Sequence, residues 1–429
     1  MSALPGTPFV ARRGAELTLE GHALAELARR FGTPLFVYSR GAMLAALAAY
    51  QRALEGRPHL ICYAMKANSS LAVLQTFATA GCGFDIVSGG ELERVLAAGG
   101  DPGKVVFSGV GKKPAEMRRA LEAGVRCFNV ESFDELSRLD EQARTLGRRA
   151  PVSLRVNPDV DAGTHPYIST GLKGNKFGIA HHEALAAYRH AAGLRGLEVV
   201  GIDCHIGSQI TQIEPYLDAL DRLLDLVEQV EAAGIPIHHV DLGGGLGITY
   251  RDEAPPDAEE LVRRTVERLE ARGHGHRELL FEPGRSLVGN AGVLLAEVLY
   301  LKPGEVKNFC IVDAAMNDLM RPALYDAYMR IEPCTLRDAG DGLAARTWDV
   351  VGPVCESGDW LGRDRALAVQ PGDFVAVLSA GAYGMAMASN YNTRPRAAEV
   401  MVDGAQVHLI REREQVHALF AGERLVPRG

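Results

Sequence analysis

The sequence Leu60-Ile-Cys-Tyr-Ala-Met-Lys66 is an apolar run that ends on a lysine, and it is the first of eight short apolar runs before residue 286. We predict eight strands: Leu60–Lys66, Gly83–Ser88, Val105–Gly109, Cys127–Glu131, Val152–Asn157, Val199–His205, His238–Leu242 and Glu278–Glu282. Helical patterns lie between them, as in Tyr216–Ala232. Continuous apolar strands alternating with helices indicate a parallel sheet buried on both faces. Eight such units predict a (β/α)8 barrel.

The sequence after Arg285 has a different pattern, with β-like runs broken by Gly, Pro and Asp turns. These runs are Val293–Leu301, Phe309–Asp313, Thr347–Val354, Phe374–Leu378, Glu399–Val402 and Gln406–Ile410. They predict a second, mostly antiparallel β domain, which Phe9–Leu19 also joins as a strand. We therefore expect an N-terminal segment at residues 1–35 that pairs with the β domain, a barrel at 36–285 and the β domain proper at 286–429.

Composition narrows the class of protein. The chain has 429 residues, of which 47% are hydrophobic, and its net charge is -8. This charge offers no broad basic surface for a nucleic acid. We expect no secretory signal, because residues 1–13 have no apolar segment behind a basic start, and no apolar run approaches the roughly 20 residues of a membrane helix. The 7 cysteines form neither CxxC pairs nor a His/Cys metal pattern. We therefore expect a cytoplasmic protein with reduced thiols and without a metal.

Four polar motifs follow predicted barrel strands, at the end where barrel enzymes build their active sites. Lys66 ends the first strand, His205 ends the sixth, Gly243–Gly245 follow the seventh and Glu282–Arg285 close the eighth. One such placement by chance is unremarkable. Four together indicate an active site.

The residue types in these motifs fit one cofactor, pyridoxal phosphate. A lysine in apolar surroundings loses its proton readily and can attach to an aldehyde. The bare N–H groups of Gly243–Gly245 suit phosphate oxygens. Glu282 can keep a pyridine nitrogen protonated. Each residue alone has another reading: a lysine reaching solvent, a tight turn, an internal ion pair, or, for His205, a core histidine.

A family resemblance supports this interpretation. The motifs Tyr63–Asn68, His205–Gln209, Asp241–Gly247 and Glu282–Arg285, in this order, resemble the fold-type III pyridoxal-phosphate decarboxylases. Later segments are similar to the diaminopimelate branch of that family rather than the ornithine branch. These segments are Ser169–Ile179, Met316–Tyr325, Cys355–Asp359 and Gly381–Asn392. The resemblance covers essentially the whole chain.

The resemblance implies a role for each matched residue at the cofactor. Lys66 would hold the aldehyde, His205 would stack on the ring, and Glu282 would pair with the ring nitrogen. The phosphate would be held by residues of the later strand ends, and Tyr383 would lie beside the cofactor. The implied phosphate set is Ser208, Gly244, Gly245 and the backbone of Gly284 and Arg285.

The resemblance also implies how the substrate is read. Arg285 and Arg321 would clamp its distal carboxylate, with Tyr325 adding a hydrogen bond and Glu356 meeting the distal ammonium. Tyr383 would also contact the substrate. Cys355 would donate the proton that replaces CO2. In this family Cys355 and Glu356 reach across a two-fold interface, which implies a homodimer with shared active sites.

Three rival functions remain open from the sequence. A related decarboxylase could act on ornithine, lysine, arginine or carboxynorspermidine, but some of these substrates would leave Arg321 without a carboxylate. An amino-acid racemase shares the barrel and cofactor, yet needs an acid/base group on each face. A catalytically dead homologue would have no need of Lys66, Glu282 and Cys355 together.

Overall fold

The computed structural model describes residues 3–161, 170–171, 175–337 and 344–427. Its strands are β1 (Val10–Arg13), β2 (Glu16–Leu19), β3 (His22–Ala23), β4 (Leu35–Ser39), β5 (His59–Ala64), β6 (Gly83–Ile86), β7 (Val105–Phe107), β8 (Cys127–Val130), β9 (Ala150–Asn157), β10 (Ile179–Ala180), β11 (Leu197–Asp203), β12 (His239–Asp241), β13 (Glu278–Phe281), β14 (Gly292–Lys302), β15 (Phe309–Val312), β16 (Ile331–Pro333), β17 (Arg346–Val351), β18 (Trp360–Leu367), β19 (Phe374–Val377), β20 (Ala398–Asp403) and β21 (Gln406–Arg411).

The helices are α1 (Leu24–Phe31), α2 (Arg40–Ala53), α3 (Leu71–Thr79), α4 (Gly89–Ala97), α5 (Pro114–Ala123), α6 (Phe133–Thr145), α7 (His181–Gly193), α8 (Glu214–Ala232), α9 (Ala258–Ala271), α10 (Arg285–Val288), α11 (Arg321–Tyr325) and α12 (Val416–Leu419). Among the helices of the described part of the chain, none has the length and apolar character that crossing a bilayer requires.

The chain divides into two compact units. One unit, the β domain, comprises Met1–Met43, Thr249–Asp252 and Val288–Gly429. The other, the barrel, comprises Leu44–Ile248 and Glu253–Leu287.

The barrel closes through eight parallel strands. Its order is β5-β6-β7-β8-β9-β11-β12-β13, and β13 pairs back with β5. All eight predicted strands are present, and the predicted (β/α)8 barrel is confirmed. Most of the strands end one or two residues earlier than predicted, so Lys66 lies in the short 3-10 turn Met65–Ala67 that follows β5.

Sequence patterns explain why the barrel elements form. Strands β6, β7 and β8 are buried at every residue, as expected for a sheet covered on both faces. One buried apolar cluster joins residues of four barrel strands: Leu60, Cys62, Val106, Cys127 and Leu280. Two barrel helices have a serine N-cap. The side chains of Ser88 and Ser132 accept hydrogen bonds from the backbone N–H of the third residue of α4 and of α6, respectively.

The β domain is a mostly antiparallel sheet of nine strands. Its main path is β18-β17-β15-β14-β4-β20-β21, while β19 pairs with β14 and β16 pairs with β19. Only the pairs β15–β17 and β20–β4 are parallel. This confirms the predicted β domain, although strands β4, β16 and β18 were not predicted.

The N-terminal segment joins the β domain, as predicted, but as a hairpin rather than one strand. Strands β1 and β2 pair antiparallel, and the Leu17 N–H donates to the Cys334 carbonyl at 2.7 Å. Buried residues of β2, α1, β4, β14 and β20 pack into one apolar core. Burial of this N-terminal surface is what ties the segment to the domain.

Candidate active site

Lys66 is paired with a buried carboxylate. Its Nζ lies 2.5 Å from Oδ2 of Asp85, a residue of the neighbouring strand β6. The Lys66 side chain is 37% exposed, whereas that of Asp85 is fully buried. The amine therefore lies at the C-terminal rim of the barrel, where it is accessible to solvent and where the buried Asp85 carboxylate fixes its orientation. This position suits covalent attachment to a carbonyl group.

His205 follows β11 and contacts the glycine loop. The Gly244 N–H donates to Nδ1 of His205 at 3.2 Å, so the ring accepts at this nitrogen and carries its proton on Nε2. Burial, aided by the positive charges of Arg155 and Lys66, holds the pKa of His205 well below its usual value. A neutral, flat ring that is fixed at one edge can stack on a planar cofactor.

The glycine loop, Gly243–Gly245, needs glycine for steric reasons. Gly243 and Gly245 have φ of 64° and 107°, where L side chains are strained. A Cβ on Gly244 would lie 2.1 Å from the Glu282 carbonyl oxygen. The Gly243 N–H donates to the Asp241 carboxylate at 2.8 Å, which fixes the start of the loop.

Ser208 and Arg285 lie together at the same rim. Nη2 of Arg285 donates to Oγ of Ser208 at 2.9 Å. Gly284 allows close backbone approach, since a Cβ there would lie 3.1 Å from Ala64. The Ser208 hydroxyl and the backbone of the glycine loop can donate to a phosphate group, and the Arg285 guanidinium adds positive charge at the same rim.

Glu282 belongs to a buried cluster of three carboxyl groups. Carboxylate oxygens of Asp203, Asp241 and Glu282 lie within 4.8 Å of one another. Burial first, and then the neighbouring acids Asp241, Asp85 and Asp203, raise the pKa of Glu282 well above its usual value. Burial also raises the pKa of Asp241 to about 7. The cluster therefore retains protons near neutral pH.

Two features of this cluster show that it suits a cationic ring nitrogen. Oδ1 of Asp203 and Oδ2 of Asp241 are buried and have no hydrogen-bond partner among the described residues. Asn129 Nδ2 contacts the Glu282 carboxylate at 3.3 Å and orients it. Buried carboxyl oxygens that lack a partner favour a hydrogen-bond donor or a positively charged group placed beside them.

Several residues of the barrel site were not predicted. Asp85, Asn129, Asp203 and Asp241 were given no role in the sequence analysis, although each lies within a predicted strand and Asp241 begins a quoted motif. The sequence feature that could have identified them is a polar residue within an apolar strand, because a buried polar group requires a hydrogen-bond partner.

The β domain carries the predicted residues Arg321 and Tyr325 on α11. Arg321 is 6% exposed. Its guanidinium lies 5.1 Å from the ring of Tyr250 and 5.7 Å from the ring of Tyr325. Two aromatic faces hold the planar cation in one orientation, as a bidentate carboxylate contact requires.

Cys355 and Glu356 lie on a loop of the same domain. Cys355 is exposed, whereas the other six cysteines are buried. The Cys355 N–H donates to Oδ1 of Asn392 at 3.1 Å. Glu356 accepts a hydrogen bond from the Tyr391 hydroxyl, which raises the pKa of Tyr391.

Tyr383 lies in the β domain with a left-handed backbone, at φ 56°. A non-glycine residue in this region carries strain, which is frequent at functional sites. Within the segment Ser169–Ile179, Ser169 and residues 172–174 lie outside the described residues. The structure thus brings together the predicted residues of the barrel. In the β domain it places Arg321 beside Tyr325 and Cys355 next to Glu356.

The barrel site satisfies the requirements of a pyridoxal cofactor. It combines an accessible lysine amine, a neutral ring, a glycine loop beside Arg285, and a buried cluster of carboxyl groups around Glu282. Fold and site together define a class, the barrel enzymes that use pyridoxal chemistry.

The chain belongs to the pyridoxal-dependent decarboxylase family, whose pyridoxal binding domain matches residues 40–289. It is 63% identical to the diaminopimelate decarboxylase of Pseudomonas aeruginosa over 97% of this chain and 98% of that one. The Vibrio cholerae diaminopimelate decarboxylase is 57% identical over 98% of this chain and 99% of that one. The M. jannaschii diaminopimelate decarboxylase solved with L-lysine superposes with a TM-score of 0.93 at 39% identity, covering 99% of each chain.

Proposed function

We propose that this chain is a diaminopimelate decarboxylase, which converts meso-2,6-diaminopimelate to L-lysine and CO2 with pyridoxal phosphate. The observation that carries the proposal is near-full-length identity of 63% to a diaminopimelate decarboxylase. A second solved relative, from Helicobacter pylori, also holds L-lysine and is 40% identical over 92% of this chain, with a TM-score of 0.88. Lysine is the product expected of this reaction.

In this proposal Lys66 attaches the cofactor. The Lys66 amine lies 2.5 Å from the Asp85 carboxylate. Asp85 can therefore take up the proton that the amine loses when it forms a covalent bond. When bound, the cofactor supplies a conjugated ring that accepts the electron pair released as CO2 leaves. The protein must then hold the departing carboxylate perpendicular to that ring.

Glu282 would hold the ring-nitrogen proton, and its cluster explains why this proton stays. Loss of the ring-nitrogen proton would leave the negative charge of the buried carboxyl groups of Asp203, Asp241 and Glu282 uncompensated. His205 would cover one ring face, while Tyr383 would lie beside the cofactor. The phosphate would be held by Ser208, Gly244, Gly245 and the backbone of Gly284 and Arg285.

The predicted substrate-binding residues would bind the distal amino-acid group of diaminopimelate. Arg285 and Arg321 would clamp the distal carboxylate, and Tyr325 would donate to it. Glu356 would meet the distal ammonium. A substrate with both groups at its far end explains why the chain keeps both two arginines and a glutamate; ornithine and lysine have no distal carboxylate for Arg321.

We further propose a cytoplasmic homodimer. Cys355 and Glu356 would enter the active site of the partner subunit, and Cys355 would return the proton that replaces CO2. Exposure of the Cys355 thiol supports this role, because a proton donor must reach its acceptor.

The direct test is incubation of the purified chain with pyridoxal phosphate and meso-diaminopimelate, followed by measurement of lysine and CO2. We expect stoichiometric release of both products and much slower turnover of ornithine and lysine. A Lys66→Ala chain is the control. Faster decarboxylation of ornithine than of diaminopimelate would refute the substrate assignment.

A further inference from the structure

Two loops of the β domain carry residues of the proposed site. The arginine loop, residues 313–321, leads into α11 and ends at Arg321. The cysteine loop, residues 352–359, carries Cys355 and Glu356. Both loops are irregular, so neither has a strand ladder of its own to fix its backbone.

One carboxylate, that of Asp359, joins the two loops. Its Oδ1 accepts the N–H of Met316 at 2.7 Å, and its Oδ2 accepts the N–H of Val354 at 2.7 Å. Asp359 is only 4% exposed. Each oxygen is therefore committed to a different loop, and water cannot readily replace either contact.

The remaining contacts between the loops are less directional. Met316 and Val354 share a small apolar cluster with Ala315. Apolar contact keeps the loops close, but it does not fix the direction of their backbones. The Asp359 carboxylate does, because Val354 directly precedes Cys355 and because Met316 begins the turn that leads to α11.

We infer that Asp359 is a positioning residue that holds the arginine loop and the cysteine loop in one fixed arrangement. The inference rests on the proposed function, which gives Arg321 to the distal carboxylate and Cys355 to proton return. If Cys355 serves the active site of the partner subunit, the Asp359 carboxylate also joins the specificity group of one site to the acid of the other.

Asp359→Asn is the main test, because asparagine keeps the size of the side chain and places an NH2 group against one of the two backbone N–H groups. In the holoenzyme we expect amide hydrogen exchange at least about tenfold faster in peptides from both loops. We also expect a lower kcat together with a higher KM for diaminopimelate, and a loss of about 10- to 100-fold in kcat/KM. Both constants must change, since each loop affects one of them.

Two variants serve as controls. Asp349→Asn alters another buried carboxylate of the β domain, which accepts the Asp364 N–H at 3.0 Å, and should leave kcat and KM unchanged. Asn392→Gly keeps the left-handed backbone of φ 55° but removes the acceptor of the Cys355 N–H. It should lower kcat with little change in KM, because the hydrogen bond it removes is to the cysteine loop.

Wild-type exchange tests the inference even if Asp359→Asn does not fold. The Met316 and Val354 amides should exchange at similar rates, because both open when the same carboxylate moves. Rates that differ by more than about 100-fold would overturn a shared clamp. So would unchanged exchange in either loop of Asp359→Asn, or loosened loops with wild-type kcat and KM. If wild type forms no lysine, the proposed function is refuted instead. The amide exchange rates would still test whether Asp359 holds the two loops together.

Discussion

Replacing Arg321 with leucine separates substrate recognition from chemistry. Arg321 is 6% exposed, and its guanidinium lies between the rings of Tyr250 and Tyr325. Leucine retains apolar contact with both rings, so the substitution mainly removes the charge and the forked donors. The lost interaction is the one that we assign to the distal carboxylate of diaminopimelate.

The size of the effect follows from this burial. A charge-assisted pair in a buried position contributes about 2–4 kcal/mol, which corresponds to a loss of about 30- to 1,000-fold in kcat/KM. The distal carboxylate does not react, so its contact is the same in the ground state and the transition state. Most of the loss should therefore be a higher KM, with a smaller fall in kcat from poorer orientation of the reacting carboxylate.

The assay is steady-state kinetics on meso-diaminopimelate and on lysine or ornithine as slow substrates. The matched control is Arg363→Leu, because the Arg363 guanidinium lies 3.9 Å from the Trp360 ring but its side chain is 51% exposed. The control should keep wild-type constants on every substrate. A wild-type KM for diaminopimelate in Arg321→Leu, or an equal loss on lysine and ornithine, would refute the distal-clamp assignment.

Three further predictions concern the lysine, the thiol and pH. Lys66→Ala should abolish turnover and covalent cofactor attachment, and borohydride reduction of wild type with peptide mapping should label Lys66 and no other lysine. Cys355→Ala should bind cofactor with a normal absorbance spectrum yet turn over slowly, and mixing it with Lys66→Ala should restore activity through hybrid dimers; no restored activity would argue against shared sites. Burial lowers the pKa of His239 to about 3, so the unfolded state binds the extra proton and stability falls as pH drops below about 6.5 toward 3. Between pH 7.5 and 5.5, urea unfolding of wild type should lose about 1.3 kcal/mol more than that of His239→Gln, and equal losses would contradict this assignment.

The barrel could be predicted from sequence because its strands are short, apolar throughout and separated by helices. Strand β18 could not, because Trp360–Leu367 contains Gly362, Arg363, Asp364 and Arg365, and several of its residues are exposed. Its pairing with β17 depends on the sheet rather than on local propensity. Strand β4 is buried at every residue, but it is only five residues long and its partners lie far along the chain.

The candidate site could be predicted only where a motif accompanied the residue. Lys66 and Glu282 stood out by their neighbours, whereas Asp85 and Asn129 looked like ordinary strand residues. Their contacts to Lys66 and Glu282 arise only when the barrel closes and brings separate strands to one rim. Asp359 was part of a quoted motif, but its bridge to Met316 spans a sequence separation that spacing cannot reveal.

The position of β4 has a consequence for synthesis of the chain. Leu35 pairs with Leu295 on one side and with Ala398 on the other, so an N-terminal strand lies in the middle of a sheet built mostly from C-terminal residues. At the rate of translation, β4 emerges on the order of tens of seconds before β20. During that time the local strand pairs of the barrel can form, while β4 remains an unpaired, mostly apolar strand. We therefore expect nascent chains that stop before β20 to depend on chaperones, and β4 to be their point of aggregation.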